Sequence, residues 1–517
     1  FIPFGSDPCA YPITPASQGT SQRKGKHMIP ITTDICIIGG GSGGLSVAAG
    51  AVQMGARVVL FEGGKMGGDC LNYGCVPSKA LLAAAKMAYQ DPRSKQMGVS
   101  LSKTVDMSAV KSHIENVIAG IAPHDSVERF TALGVKVIEA DGQFLDRRTV
   151  TGGGYAVKAR FVVVATGSAP FVPPVPGLAE TPHYTNETIF SLDQVPQHLI
   201  IMGGGPIGIE MAQAWRRLGA EVSVVEAASI LSKDEPELVD NLRKRLKDEG
   251  INLLEGMAAA SVTGKAGAIE VSLSPLRPNA SVDQASSSSA TKNDTKSKTV
   301  NGSHLLVAVG RRPQLAGLDL EKAGIAFSPR GIETDRRLRT TNRRVFAIGD
   351  VAGRYQFTHM AGYHAGIVIR NMLFRLPARI DDRHVPWVTY SDPELAHVGM
   401  TMAMAKEAGY DPIALTSSLA DNDRARAEHR TEGMVMAVVT KKGRILGASI
   451  LAPHAGEMIA AWSIAMEKGA SIKTMASHIA PYPTYGEASK RAAGSFYTPK
   501  LFSPRVQRIV RFLFKWF

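Results

Sequence analysis

Residues Asp34–Glu62 read DICIIGGGSGGLSVAAGAVQMGARVVLFE. An apolar run over Asp34–Ile38 meets a cluster of glycines, then small and apolar residues from Leu45 to Met54, then a second apolar run over Val58–Glu62. The order is strand, glycine turn, helix, strand, which is one dinucleotide-binding βαβ unit. Gly39, Gly41 and Gly44 satisfy G-x-G-x-x-G. The first allows the tight turn, the second lets a pyrophosphate approach backbone N–H groups at the helix N-terminus, and the third allows close helix–strand packing. Glu62, at the end of the second strand, is placed to accept hydrogen bonds from a ribose.

The same grammar returns as His198–Met202, a glycine turn, Glu210–Leu218 and Glu221–Glu226. Gly203, Gly205 and Gly208 repeat the fingerprint, and Gly203 to Glu226 spans 23 positions, as does Gly39 to Glu62. The chain therefore carries two dinucleotide sites, in an α/β architecture with two Rossmann-like domains.

Just past the first unit, Gly67–Lys79 reads GGDCLNYGCVPSK. Cys70 and Cys75, with four residues between them, stand between a glycine pair and Pro-Ser-Lys, the arrangement expected of a redox dithiol stacked on a flavin. A zinc site would need two more ligands at suitable spacing, and the neighbourhood offers neither a CxxC nor a histidine cluster, so no metal is expected. With only 4 cysteines in 517 residues, a disulfide scaffold is a poor reading, and a reducing compartment with a catalytic disulfide a better one. Cys36, inside the first strand, reads as a small buried hydrophobe.

From about Ile31 to Ala493 these motifs resemble the class I pyridine nucleotide-disulfide oxidoreductases, the flavin-dependent group of glutathione reductase, dihydrolipoamide dehydrogenase and mercuric reductase. The resemblance implies FAD at the first fingerprint, with Gly39, Gly41, Gly44, Glu62, Gly68 and Lys79. Thr166 and Gly167 in VVVATG, and Asp350 at the end of TNRRVFAIGD, join that set. It implies the nicotinamide nucleotide at the second, with Gly203, Gly205, Gly208, Glu226 and Gly310. Glu226 is followed by Ala227 and Ala228 with no arginine beside it. A 2′-phosphate would meet a carboxylate there, so NADH is expected, with NADPH left open to a cation from elsewhere. Pro206 stands where glutathione reductase has a gating tyrosine.

By the same resemblance Cys75 is the flavin-contacting thiolate and Cys70 the exchange thiol, with Lys79 paired to Glu210. The main departure is at Pro481–Glu487, PYPTYGE. Thiol-substrate members of the family have an acid–base histidine where this chain has Tyr482, expected to reach the other subunit's dithiol while oriented near Glu487. A phenol with a reference pKa of about 10 is a poor base at neutral pH. Mercuric reductases also carry tyrosine here, and Tyr390–Glu394 and Ala455–Glu457 resemble theirs. The function implied is an FAD-dependent NAD(P)H oxidoreductase passing electrons through Cys70–Cys75 to a disulfide or metal-ion acceptor. The alternatives are a dihydrolipoamide dehydrogenase, a diaphorase or quinone reductase, and a flavin-bound redox sensor on membranes.

The expected organisation is a disordered leader over 1–30, an FAD domain in two parts (31–180 and 306–380), and a nicotinamide-nucleotide domain over 181–305. An α+β dimerisation domain over 381–497 and a basic amphipathic tail over 498–517 follow, and the assembly is a homodimer. Met28 reads as a natural start, with a short targeting leader as the alternative. The polar, low-complexity stretch at 275–300 reads as a flexible hairpin insertion. The net charge of +13 is uneven: from Lys490 onward there are seven Lys or Arg and no Asp or Glu. The chain lacks a nucleic-acid motif and a run of the roughly 20 apolar residues that span a bilayer. A cytoplasmic location is expected, with 501–517 either an interfacial membrane helix or docked by its apolar face on the protein body.

Overall fold

The computed structural model describes residues 28–100, 102–275 and 298–516; residues 1–27 of the expected leader and 276–297 of the expected insertion lie outside them. A seven-stranded sheet is built on Ile29–Ile38. Val58–Phe61 and then Val135–Ile138 pair in parallel on one side, and Tyr155–Val164 on the other. The first strand starts at Ile29, inside the expected leader, because Ile29–Thr33 extends the ladder along Tyr155–Ala159. Tyr155–Val164 is long enough to serve two neighbours, Thr149–Gly152 at its start and Val345–Ala347 at its end. That second pairing delivers the loop ending in Asp350 to the mouth of the glycine turn. The helix runs Ser42–Gln53, starting earlier than the apolar pattern suggests because glycine and serine fill its first turn.

The second unit repeats this with four parallel strands in the order Asn252–Glu255, Glu221–Glu226, His198–Met202, His304–Val307. An antiparallel layer of Met257–Lys265, Ala268–Pro275 and Lys298–Gly302 covers one face. The burial patterns follow the sheet type: His198–Met202 is buried almost throughout, whereas Ala268–Pro275 alternates buried and exposed. A five-stranded antiparallel sheet over residues 386–452, backed by the helices Ala455–Glu467 and Glu487–Gly494, forms the last unit around its own core.

One packing contact positions the chemistry. The helix Cys75–Ala88 lies against the helix Pro206–Leu218 of the second dinucleotide unit, sharing a core that includes Leu81, Ile209 and Trp215. Each of these side chains is fully buried, which contributes about 1.5–3 kcal/mol apiece for residues of this kind. The cysteine helix is thus held to both nucleotide units at once.

Candidate active site

A cavity of about 2350 Å³ runs from the first glycine turn, past the two cysteines, to the second glycine turn and Glu226. Its ends are built alike. Gly39 and Gly203 adopt φ of +108° and +109°, and a Cβ on either would lie 2.4 Å from the carbonyl oxygen of Ala165 or Ala308. A Cβ on Gly44 or Gly208 would come within 1.9 or 2.0 Å of the oxygen of the turn's first glycine. Only glycine fits these four positions. Gly41 and Gly205 open toward the cavity, with room above the helix N-terminus for an anionic group.

The two acids take equivalent roles in their loops. Glu62 accepts the N–H groups of Gly40 and Gly64, and Glu226 those of Gly204 and Ala228. Both carboxylates therefore brace the turn and line the cavity where a ribose would lie. Arg243, which bonds the Ser229 hydroxyl in the second acid's loop, is held by Glu255 and Asp240, at 2.7 Å from the former.

Between the two ends, Cys70 sits in the short helix Gly68–Asn72 and Cys75 opens the helix Cys75–Ala88. Gly68, at φ +62°, packs on Gly41, where a Cβ would meet the Gly41 Cα at 2.7 Å, so the dithiol loop is pressed against the first fingerprint. Both cysteines are thiols. The Cys70 thiol donates to Cys75, which pulls the Cys75 pKa down to about 6. The Thr358 hydroxyl, 3.5 Å away, and the nearby Lys79 charge act in the same direction, against burial. Cys70 is pushed up by the same hydrogen bond and by burial. The pair is polarised, with one thiolate at neutral pH.

Lys79 donates to Glu210 at 2.9 Å, and the other oxygen of this buried carboxylate accepts the N–H of Tyr390 at 2.9 Å. The Lys79 ammonium also lies 4.3 Å from the centre of the Tyr390 ring. On the flavin side, Asp350 accepts from Ser168 at 2.6 Å, and burial raises its carboxyl pKa. Thr166 bonds the Gln314 carbonyl, while Gly167 and Gly310 adopt positive φ in the paired loops that follow.

Several cavity-lining residues escape the sequence reading. Arg311 bonds Ser168 and Asn186 and pairs with Asp69 at 3.1 Å, linking the Asp350 loop to the cysteine loop. Thr358 meets Cys75 across 283 positions of chain, so no local pattern could reveal it. Arg311 does have a local signal, as it directly follows Gly310 in the loop after the strand His304–Val307.

Tyr482 and Glu487 stand apart. Neither lines this chain's cavity. Tyr482 is 69% exposed, its hydroxyl donates to Asp423 at 3.0 Å, and this bond raises its pKa, with the nearby Glu487 charge acting in the same direction. Asp423 is the first residue of the short helix Asp423–Ala427, and Glu487 begins the helix Glu487–Gly494.

Residues 33–365 match the pyridine nucleotide-disulphide oxidoreductase family, and residues 385–493 match that family's dimerisation domain. The chain belongs to this family. It is accordingly a flavoprotein enzyme that uses FAD and NAD(P)H, and it carries the domain through which the family forms homodimers. The glycine cradle, the buried Asp350 and the two capping acids fit those cofactors. The mercuric reductase of Staphylococcus aureus is 31% identical over 469 residues, covering 90% of this chain and 82% of its own. A dihydrolipoyl dehydrogenase of Geobacillus stearothermophilus is 33% identical over 473 residues, covering 90% and 96%. Among solved structures, the Cu(II) complex of the HOCl-induced flavoprotein disulfide reductase RclA from Escherichia coli superposes with a TM-score of 0.77 at 28% identity, covering 88% of this chain and 98% of that one. Among the described residues no helix is long and apolar enough to cross a membrane.

Proposed function

We propose that the chain takes two electrons from NADH and passes them through Cys70 and Cys75 to a soft metal ion of the Hg(II) type. The observation that carries this reading is a polarised dithiol combined with a phenol at position 482, where disulfide-reducing relatives have an imidazole. Exchange with a disulfide releases a thiolate that must be protonated, and Tyr482, its pKa raised by Asp423, is a poor acid–base at neutral pH. A thiophilic cation needs no such proton. It is captured by thiolate sulfur, and it leaves reduced by two electrons. Bound FAD supplies the two-electron relay between nicotinamide and dithiol.

The roles of the remaining residues follow from their places. Glu210 fixes Lys79, whose charge favours negative charge on Cys75 and would do the same for a reduced flavin. Gly39, Gly41, Gly44, Gly68, Glu62, Thr166, Gly167 and Asp350 hold FAD; Gly203, Gly205, Gly208, Glu226 and Gly310 hold NADH. Tyr482 and Glu487, on the exposed face of the 385–493 unit, serve the partner subunit's dithiol. The test is an anaerobic acceptor panel under NADH comparing Hg(II), lipoamide, glutathione disulfide and a quinone. Hg(II) should be reduced fastest, and a preference for lipoamide or glutathione disulfide would reject the metal reading. The 33% identity to a dihydrolipoyl dehydrogenase keeps a disulfide acceptor as the second reading, and Tyr482→His separates the two. With an imidazole at 482, disulfide turnover should rise at least tenfold while Hg(II) turnover does not.

A further inference from the structure

The segment after Tyr497 takes no part in the nucleotide or dithiol sites. It forms two helices, Thr498–Leu501 and Pro504–Leu513, the second started by Ser503, whose hydroxyl accepts the Val506 N–H. Arg505, Arg508 and Arg511 recur every third residue on one side of the helix, and Lys515 adds a fourth cation in the turn just past its end. Val506, Ile509, Val510 and Leu513 fall on the other side, and Trp516 follows in the same turn as Lys515. A helix of this pattern ordinarily lays its apolar face on the protein body. Here none of residues 504–513 is buried, and Ile509, Val510 and Leu513 are exposed together with Phe502, Phe514 and Trp516, the last two at 81% and 74%. Within one subunit the apolar face is therefore left uncovered by the protein body.

Two properties of the helix identify what covers it. Its apolar side ends in aromatic residues, which suit the boundary between water and hydrocarbon. Its polar side carries cations with no acid between Lys490 and Phe517, so a protein partner would need a matching acidic strip, whereas an anionic lipid surface supplies negative charge everywhere. We infer that residues 498–516, built around the helix Pro504–Leu513, form an interfacial segment that docks the enzyme on anionic bilayers, with Arg505, Arg508, Arg511 and Lys515 at the headgroups and Ile509, Leu513, Phe514 and Trp516 among the acyl chains. This inference goes beyond the proposed reaction and does not depend on it.

The experiment uses the FAD-loaded full chain, sedimented with phosphatidylglycerol vesicles and with phosphatidylcholine vesicles at low and high salt. Binding should be strong only to phosphatidylglycerol and should weaken with salt. The triple variant Arg505→Gln, Arg508→Gln, Arg511→Gln should partition about a hundredfold more weakly, with NADH oxidation unchanged. Removing residues 501–517 should abolish sedimentation and leave a flavin-bound dimer by light scattering. Failure of the wild-type enzyme to sediment with phosphatidylglycerol, or equal binding to both lipids, would overturn the inference. So would a truncated protein that is monomeric, since the helix would then be a clasp between subunits.

Discussion

Cys75 shows how little sequence separates an inert cysteine from a reactive one. Cys36 is also in this chain, but full burial raises its thiol pKa well above the ordinary value, whereas Cys75 receives hydrogen bonds from Cys70 and Thr358 and faces Lys79. The sign gives a prediction. Cys75 should be a thiol below about pH 6 and a thiolate above it, so its alkylation by iodoacetamide in the reduced enzyme should rise through that pH and then level off. Cys70→Ala removes the leading cause of the shift and should move the midpoint up toward the ordinary thiol value of about 8.5. A midpoint unmoved by Cys70→Ala would mean that the Lys79 charge and Thr358 set it. The C-x4-C spacing and the neighbouring lysine were readable in the sequence, but the Thr358 contact and the Asp423–Tyr482 hydrogen bond join segments with no local sign of each other.

The two βαβ units were legible because backbone geometry dictates their residues. Gly39, Gly44, Gly203 and Gly208 stand where any Cβ would strike a carbonyl oxygen, and strand-terminal Glu62 and Glu226 cap the turn amides. Less legible was where elements begin, as at Ile29, since pairing with a distant strand extends a ladder past the end of the apolar pattern. On the proposed reading, the acid at the end of the strand Glu221–Glu226 sets nucleotide choice. Because Arg243 is already occupied by Asp240 and Glu255, a 2′-phosphate would meet Glu226 without a free arginine. The ratio of kcat/KM for NADH over NADPH should be at least about tenfold, equivalent to about 1.4 kcal/mol. Equal values would show that another cation, such as the cavity-lining Lys233, receives the phosphate.

At the scale of the molecule, the second nucleotide unit and the dimerisation unit are joined by a buried ionic network that nothing in the sequence announced. Arg217 and Glu249, 3% and 2% exposed, form a two-point ion pair. Arg217 also bonds Asp392 at 3.0 Å, Arg430 binds the other Asp392 oxygen, and Arg245 adds to Glu249. These charges lie far apart in sequence and look like ordinary surface residues until the units pack. Glu249→Ala would leave Arg217 with Asp392 alone in a site that excludes water. It should destabilise the enzyme by about 3–5 kcal/mol in urea unfolding, with little effect on the dithiol. A change below about 1 kcal/mol would mean that water enters to replace the carboxylate.

The packing of the helix Cys75–Ala88 on the helix Pro206–Leu218 holds the cysteines between the two nucleotide ends of one cavity, which is the basis for the proposed routing of electrons through Cys70 and Cys75 rather than directly from the flavin to an acceptor. Anaerobic, Hg(II)-dependent NADH oxidation by the wild type and by Cys70→Ser, both FAD-loaded, tests that route most directly. The wild type should consume NADH mole for mole with Hg(II) reduced. Cys70→Ser should keep its flavin, gain a long-wavelength absorbance from the Cys75 thiolate beside it, and lose Hg(II) turnover by at least a hundredfold. Turnover of Hg(II) at the wild-type rate by Cys70→Ser would contradict the account.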